Sequence, residues 1–110
     1  MVQHVVPAVA GLDVRPPALA ERAYNIRRNA VRMGEVQGQG YIAQALDIAD
    51  VLAVAYFHAM RYRPEDPSWE ERDRFLLSNG HYAIALYATL IEAGVIPKQF
   101  FIESVTPQVA

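Results

Sequence analysis

Residues 72–94 read RDRFLLSNGHYAIALYATLIEAG, and the change of pattern within this stretch decides the fold. Residues 74–78, RFLLS, form a short apolar run between charged residues and an Asn-Gly pair, which predicts a β-strand. The apolar side chains after that pair recur on one helical face, so a helix is predicted from about His81 to Ala93. Gly94 then ends it, because glycine readily takes the left-handed conformation that closes a helix.

Two further helices are predicted upstream of this stretch. The first begins at Pro16, since a helix start has no use for the N–H that proline lacks, and ends at a cap on Gly34. The second runs from about Tyr41 to Arg61, and its apolar residues cover nearly the whole circumference, so other elements should enclose it. The pattern therefore predicts a mostly α chain with about three helices and one short strand. One apolar stripe marks the first helix: Leu19, Ala23, Ile26, Ala30 and Met33.

The remaining segments divide the chain into three parts. Residues 1–15 contain Pro7 and Gly11 and show no sustained period, which predicts a flexible N-terminal arm. Residues 16–97 hold the three predicted helices and the strand. Residues 98–110 follow as a divergent C-terminal tail.

Composition restricts the classes of function. Ten basic and twelve acidic residues give a net charge of -2 without a block of either sign, which argues against nucleic-acid binding. Cysteine is absent, so disulfides, thiolate metal sites and cysteine nucleophiles are excluded, and a cytoplasmic location is predicted. The N-terminus lacks the basic and apolar regions of a signal peptide. Asp47 and Asp50 lie within the most apolar stretch, and their charges argue against a membrane span.

The second predicted helix carries residues that suggest a metal or acid–base site. Asp50 and His58 lie roughly 12 Å apart along this helix, because each residue adds about 1.5 Å, and one ion does not bridge that distance. No metal site is therefore predicted. Asp47 and Asp50 share a helix face, and pairing with neighbouring arginines is preferred to a role as an acid–base pair.

His81 occupies a more informative position. A strand that runs into Ser-Asn-Gly-His and then a helix brings backbone N–H groups to an open helix N-terminus, where anions bind. A histidine there can also donate a hydrogen bond to a phosphate. The alternative is that Ser78 and Asn79 simply cap the helix. Spacing alone leaves both interpretations open.

A longer stretch around His81 resembles one protein family. Residues 49–94, ADVLAVAYFHAMRYRPEDPSWEERDRFLLSNGHYAIALYATLIEAG, resemble the N-terminal segment of transketolases, in which an Ala-Asp helix leads through P-x-x-P-x-W-x-x-R-D-R-F-x-L-S-x-G-H to a helix containing Leu-Tyr. The resemblance extends over about residues 18–97 and is greatest to the N-terminal subunit of transketolases that are split into two genes. The matching positions are Ala49, Asp50, Pro64, Pro67, Trp69, Arg72, Asp73, Arg74, Phe75, Leu77, Ser78, Gly80, His81, Leu86 and Tyr87.

The resemblance implies thiamine diphosphate and Mg²⁺ as cofactors and the transfer of a two-carbon ketol unit from a ketose to an aldose. His81 corresponds to the family histidine near the cofactor diphosphate, so it is the predicted cofactor-binding residue. Tyr41 stands where the family motif Gly-His-Pro-Gly has a histidine that helps bind substrate, so it is the predicted substrate-binding residue. Tyrosine can donate a hydrogen bond but titrates near pH 10, about three units too high to shuttle protons at neutral pH.

Other parts of the family's site are missing from the sequence. The Gly-Asp-Gly motif and the later asparagine that hold the metal do not occur, nor does the glutamate that another domain supplies to activate the cofactor. The resemblance therefore implies a truncated, mostly α fragment of an α/β thiamine diphosphate-binding fold. Such a chain has no catalytic residue of its own, cannot fully bind the cofactor alone, and is expected to be inactive in isolation.

The expected partner is a C-terminal transketolase subunit or a second copy of the chain. Two alternatives to this interpretation exist. One is a non-catalytic remnant or helical interaction module that lacks the cofactor-metal site. The other is a piece of another thiamine enzyme, such as a pyruvate dehydrogenase-type chain, against which the W-x-x-R-D-R-F connection argues.

Overall fold

Three α-helices form the described part of this computed structural model, residues 11–37 and 42–97. Each of the three helices packs against the other two, which confirms the mostly helical architecture. The predicted tail, 98–110, and most of the predicted arm, 1–15, lie outside the described residues. The elements are α1 Pro16–Gln37, α2 Ile42–Val54, a π-helical turn Ala55–Ala59, a 3₁₀ turn Gly80–Tyr82 and α3 Ala83–Glu92.

Helix α1 begins at Pro16, as predicted, but the predicted end at Gly34 is wrong, because the helix continues to Gln37. Among the described residues, the left-handed backbone that a glycine cap uses occurs at Gly11 and Gly94 and not at Gly34. A glycine inside a helix costs only about 1 kcal/mol relative to alanine, which the packing of α1 can offset. Gly94, in contrast, has a φ of 80° and ends α3 as predicted.

The core lies along the seam between the three helices. The predicted stripe of α1 is buried from Ala23 to Met33, and Leu19 packs partly buried against it. Most of the opposing positions are alanines, whose short side chains let the helix backbones approach one another closely. The buried apolar residues of α2 and α3 are Ala45, Ala49, Leu52, Ala53, Ala85, Ala88 and Ile91.

Two buried polar side chains form hydrogen bonds within this core. Asn29 of α1 donates from Nδ2 to the carbonyl oxygen of Ala88 in α3 at 3.1 Å. Thr89 donates from Oγ1 to the carbonyl oxygen of Ala85, one turn earlier in α3, at 2.8 Å. An unpaired polar group here would cost about 1–3 kcal/mol. The Asn29 bond therefore helps to set the position of α1 against α3.

Helix α2 departs from the prediction in two ways. The regular helix, predicted to reach about Arg61, ends at Val54 and is followed by the π turn. It is also not enclosed on all sides, since Val51 is 60% exposed and two neighbouring helices cover only part of its circumference. Among the described residues, Ile42–Ala59 is the one helical stretch that is long and apolar enough to cross a membrane. Core helices of soluble proteins also meet this criterion of length and composition.

Residues 74–78, predicted as a strand, pair with no neighbouring strand, and none of the described residues is in a β-strand. Their side chains nevertheless alternate between half-buried and exposed, as they do along a strand. A strand becomes a stable element through hydrogen bonds and packing to other strands. Because the described chain supplies no such neighbour, the sequence preference for a strand is not realised as a sheet.

Candidate functional site

The Ser-Asn-Gly-His turn lies directly before α3 and is closed by its own asparagine. Oδ1 of Asn79 accepts a hydrogen bond from the backbone N–H of His81 at 3.0 Å. The carbonyl oxygen of Asn79 accepts from the N–H of Tyr82 at 3.1 Å, and the N–H of Ala83 donates to the carbonyl of Gly80. Asparagine is a preferred residue before the start of a helix, because its side chain accepts a hydrogen bond from an N–H group that the first helical turn leaves unpaired. The structure therefore contains the Asn79 cap, which is one of the two interpretations of this turn.

These hydrogen bonds within the turn determine which of its groups can bind a ligand. The three consecutive backbone N–H groups of residues 81–83 already donate within the chain. The open row of N–H groups expected from the sequence is thus filled in this conformation, and an anion at the turn would be met chiefly by side chains. His81 is exposed on the turn, and an imidazole ring can donate a hydrogen bond to an anionic oxygen.

An aromatic cluster connects the segment before the turn to the helical core. The ring centroid of Phe75 lies 5.9 Å from that of Tyr56 in the π turn, and Tyr56 meets Tyr62 edge-on at 5.5 Å. The Tyr62 hydroxyl donates to the carbonyl oxygen of Tyr56. Burial raises the pKa of Tyr62 to about 12, so its hydroxyl keeps its proton for this bond at neutral pH. The cluster therefore fixes the chain shortly before it enters the turn.

Residues 60–73, here called the connection, link the π turn to residues 74–78, and contacts of the W-x-x-R-D-R-F motif shape this segment. The guanidinium of Arg63 lies 3.9 Å from the centre of the Trp69 ring, a cation–π contact. Arg72 donates from Nη1 to the carbonyl oxygen of Trp69 at 2.8 Å. Arg74 donates to the carbonyl oxygen of Arg72 at 3.2 Å. These motif residues contact one another or their close neighbours, so they give the connection its shape.

Asp73 joins the two ends of this connection. Its backbone N–H donates to the carbonyl oxygen of Arg61 at 2.7 Å, and its carboxylate accepts from the Arg61 N–H at 2.7 Å. The Arg61 guanidinium lies 3.5 Å from the other carboxylate oxygen. Hydrogen bonds from the backbone and side chain of Arg61 hold the pKa of Asp73 below its ordinary value.

Asp73 is therefore expected to make the connection sensitive to acid. Its folded pKa lies below the unfolded value of about 3.9, so its stabilising effect is complete above that pH and is lost as the pH falls through the folded pKa. Trp69 is the only tryptophan, so its fluorescence during an acid titration reports on the connection. We expect Asp73→Asn to remove part of the transition that the wild type shows below about pH 4. Asp66→Asn, in the same connection, should leave the transition in place, and identical curves for wild type and Asp73→Asn would contradict the assignment.

A cleft of about 330 Å³ is bounded by the aromatic cluster, the connection and the end of α3. Phe75 and Leu76 line the cleft, whereas none of residues 78–81 does. The cleft and the turn are thus separate features of the surface. Because His81, an exposed histidine at the position that the resemblance assigns to cofactor binding, lies on the turn, the candidate site is the turn.

The other candidate residues of the sequence lie apart from the turn or outside the described residues. Asp50 pairs with Arg27 of α1 at 2.7 Å, which confirms its predicted pairing with an arginine. His58 is half-buried on the π turn. Within residues 11–37 and 42–97, no three histidine, aspartate or glutamate side chains are grouped so that they could hold a metal ion. Tyr41, the predicted substrate-binding residue, lies outside the described residues.

Sequence reasoning missed one set of contacts, which joins α1 to the end of α3. Oε2 of Glu92 accepts from Nη1 of Arg22 at 3.1 Å and from Nδ2 of Asn25 at 2.9 Å. The Arg22 guanidinium also lies 4.5 Å from the centre of the Phe57 ring. Glu92 is 70 and 67 positions from its two partners, so no local pattern could indicate them.

Comparison with known proteins gives one consistent result. Residues 20–99 match the family model for the transketolase, thiamine diphosphate binding domain. Over 81 residues the chain is 79% identical to the transketolase family protein y4mO of Sinorhizobium fredii, an alignment that covers 74% of this chain and 29% of that protein. It is also 38% identical over 81 residues to the transketolases of Homo sapiens and Mus musculus, covering 74% of this chain and 13% of each of them.

The family match spans most of the chain and includes the described connection, the turn and all of α2 and α3. In each of these relatives, the aligned region is less than a third of the whole protein. The resemblance seen in the P-x-x-P-x-W-x-x-R-D-R-F-x-L-S-x-G-H motif is thus confirmed over the surrounding helices as well. This chain belongs to the transketolase family, through its thiamine diphosphate-binding domain.

Proposed function

We propose that this chain contributes the N-terminal part of a thiamine diphosphate-dependent transketolase, in which a two-carbon ketol unit passes between sugars once other chains complete the site. The observation that carries this proposal is the Ser-Asn-Gly-His turn, which Asn79 closes and on which His81 is exposed. Membership of the family supplies the class of cofactor. The proposed location is the cytoplasm, in keeping with a sequence that has no cysteine.

His81 is the residue proposed to bind the diphosphate of the cofactor. The backbone N–H groups of residues 81–83 are engaged within the chain, so a contact from this turn to the diphosphate would come from side chains, of which the imidazole of His81 is an exposed one. A ring N–H can donate to a diphosphate oxygen, and a hydrogen bond to a charged group contributes about 1.5–3 kcal/mol. Because the turn is exposed, a cofactor held mainly by another chain can reach it.

The described residues do not complete a site for thiamine diphosphate with Mg²⁺. Mg²⁺ takes oxygen ligands, usually one or two carboxylates together with phosphate oxygens and waters. The described carboxylates and histidines form no group of three that could hold a metal, and Asp50 is paired with Arg27. We therefore assign no catalytic step to this chain and infer that the metal ligands are supplied elsewhere in the assembly.

The proposed partners are a C-terminal transketolase subunit and a sugar substrate. Tyr41 is the residue proposed to contact the sugar, through a hydrogen bond from its hydroxyl. Because an ordinary tyrosine titrates near pH 10, about three units above neutrality, that hydroxyl would bind the sugar without moving a proton.

A second candidate function is a helical interaction module without catalysis. It is favoured by the outer face of α2, where Leu46, Val51 and Val54 are 36%, 60% and 46% exposed. A group of exposed apolar side chains on one helix suits contact with another protein. This function needs neither the cofactor nor His81, so cofactor binding distinguishes the two candidates.

Calorimetric titration of thiamine diphosphate with Mg²⁺ tests the proposed function. The chain is titrated alone and then mixed with a C-terminal transketolase subunit. We expect binding only in the mixture, because the described residues of this chain bring together no three side chains that could hold the metal. His81→Ala in the mixture should weaken binding about 10- to 100-fold, which corresponds to the loss of one hydrogen bond to a charged group.

Two control variants make this result specific. His81→Asn keeps an N–H donor at the turn and should retain part of the affinity that His81→Ala loses. His58→Ala removes a histidine of the π turn, which is not part of the Ser-Asn-Gly-His turn, and should leave the affinity unchanged. A mixture that binds no cofactor, or binds it equally with His81→Ala, would leave the interaction module as the better account.

A further inference from the structure

Asn79 and Gly80 form the one Asn-Gly pair of the sequence, and they lie in the turn before α3. Both residues are exposed, and no residue of the 3₁₀ turn that follows Asn79 is buried. The other two asparagines, Asn25 and Asn29, lie within α1, where each donates a hydrogen bond from its side chain to a residue of α3. Asn79 is therefore the one asparagine that precedes a glycine and lies outside a regular α-helix.

The peptide bond after Asn79 allows the backbone to react with the asparagine side chain. The nitrogen of Gly80 reaches Cγ of Asn79 by closing a five-membered ring, and glycine has no Cβ to hinder that approach. Ring closure rotates the Cα–C bond of Asn79, whose ψ is 109° in the closed turn, so the turn must open first. Such openings are local, and they cost little free energy at an exposed turn with few hydrogen bonds.

We propose that Asn79 is a site of spontaneous deamidation, which converts the neutral cap of the turn into a carboxylate. The Gly80 nitrogen forms a bond to Cγ of Asn79, the bond from Cγ to Nδ2 breaks, and Nδ2 leaves as ammonia with the proton of the Gly80 N–H. Water then opens the resulting succinimide ring. Cleavage of the new bond leaves aspartate, whereas cleavage of the original peptide bond leaves isoaspartate. One water is consumed and one ammonia is released, without oxidation or reduction.

The aspartate product keeps the shape of the turn and changes its charge. Aspartate caps a helix about as well as asparagine, and its carboxylate can accept the same hydrogen bond from the His81 N–H. A negative charge is also favourable at a helix N-terminus. In isoaspartate, by contrast, the chain runs through the former side chain and gains a methylene, so the geometry of the cap is lost.

A carboxylate at position 79 opposes the binding of an anion at the turn. This consequence rests on the proposed function of His81, whereas the deamidation itself does not. Like charges about 4 Å apart in water repel by about 1 kcal/mol, which corresponds to about a five-fold loss of affinity. In the mixture used for calorimetry, Asn79→Asp should therefore bind thiamine diphosphate about five-fold more weakly than Asn79→Ser, whose neutral hydroxyl keeps a cap.

Mass spectrometry of the full chain after incubation at mildly alkaline pH tests the deamidation. Alkaline pH accelerates it because the Gly80 nitrogen must lose its proton to attack. The peptide that contains Asn79 should gain about 1 Da in each converted molecule, since a carboxylic acid replaces an amide. The peptides that contain Asn25 and Asn29 serve as internal controls and should keep their mass over the same period. Asn79→Ser, which has no amide at the turn, should show no gain there.

Gly80→Ala is the matched variant that keeps Asn79. Gly80 is not among the described glycines with a positive φ, and no atom beyond its chain neighbours lies within 4 Å of the place that a Cβ would occupy, so the turn accepts alanine. Conversion should slow about five-fold or more, because alanine lacks about 1 kcal/mol of glycine's backbone freedom and hinders the attack.

The proposal is overturned if Asn79 keeps its mass, if Asn25 and Asn29 convert as fast, or if Gly80→Ala converts at the wild-type rate. Equal affinities of Asn79→Asp and Asn79→Ser for thiamine diphosphate would overturn the consequence for binding. A wild-type mixture that binds no cofactor would overturn the proposed function instead, and the mass measurement on the chain alone would still decide whether Asn79 deamidates.

Discussion

Replacing Ile26 by alanine is expected to lower the free energy of unfolding by about 2–5 kcal/mol. Ile26 is 0% exposed and lies near the middle of α1, within the core that the three helices share. The substitution removes apolar contacts and leaves a cavity that surrounding backbones cannot fully close. Urea unfolding followed by circular dichroism measures the change as a shift of the transition midpoint at constant slope.

Two further substitutions show whether the loss arises from core packing. Ile26→Val removes a single methylene and should cost about 0.5–1.5 kcal/mol. Val31→Ala, on the same helix but 50% exposed, should change the free energy of unfolding by no more than about 0.5 kcal/mol. If Ile26→Ala and Val31→Ala had equal effects, α1 would not be packed on α2 and α3 in solution.

Replacing Glu92 by alanine is expected to destabilise the chain by about 1–3 kcal/mol. Only 14% of the Glu92 side chain is exposed, and its carboxylate accepts hydrogen bonds from Arg22 and Asn25 of α1. Truncation leaves both donors without that acceptor in a partly buried place. The same unfolding experiment measures the effect, and Glu92→Gln should recover part of it because the amide oxygen can still accept from Asn25.

The exposed ion pair between Arg27 and Asp50 provides the comparison. The Asp50 side chain is 71% exposed, so Asp50→Ala should cost at most about 1 kcal/mol. The expected difference between the two pairs comes from burial, since water competes for an exposed carboxylate but not for a covered one. A larger loss for Asp50→Ala than for Glu92→Ala would contradict this account of how α1 is held to α3.

Local patterns predicted much of the fold. The three-to-four spacing of α1 correctly marked its buried face, because that periodicity is a property of the helix itself. Pro16 and Gly94 marked a helix start and a helix end, since each acts through its own backbone geometry. The order strand, turn, helix also placed His81 at the beginning of a helix. The candidate site could be located from sequence for this reason.

Other features depended on what surrounds a residue. Gly34 has the chemistry of a cap but lies inside α1, because helix packing can offset the small cost of an internal glycine. The apolar circumference of α2 predicted enclosure, yet Val51 is exposed because the described chain offers only two helical neighbours. The run at 74–78 has the pattern of a strand, but the described residues contain no strand with which it could pair.

The sequence by itself determined the family, the three helices and the position of His81, because spacing and motif are written in consecutive residues. It also offered capping by Asn79 as one of two interpretations of the turn, and the tertiary structure decided between them, because Asn79 and its neighbours fill the N–H groups of the turn. The tertiary structure alone decided that Glu92 holds α1 to α3, through partners 67 and 70 positions away. The physical reason is the range of the interactions: helix periodicity acts within a few residues, whereas burial, ion pairing and strand pairing depend on groups that folding brings together.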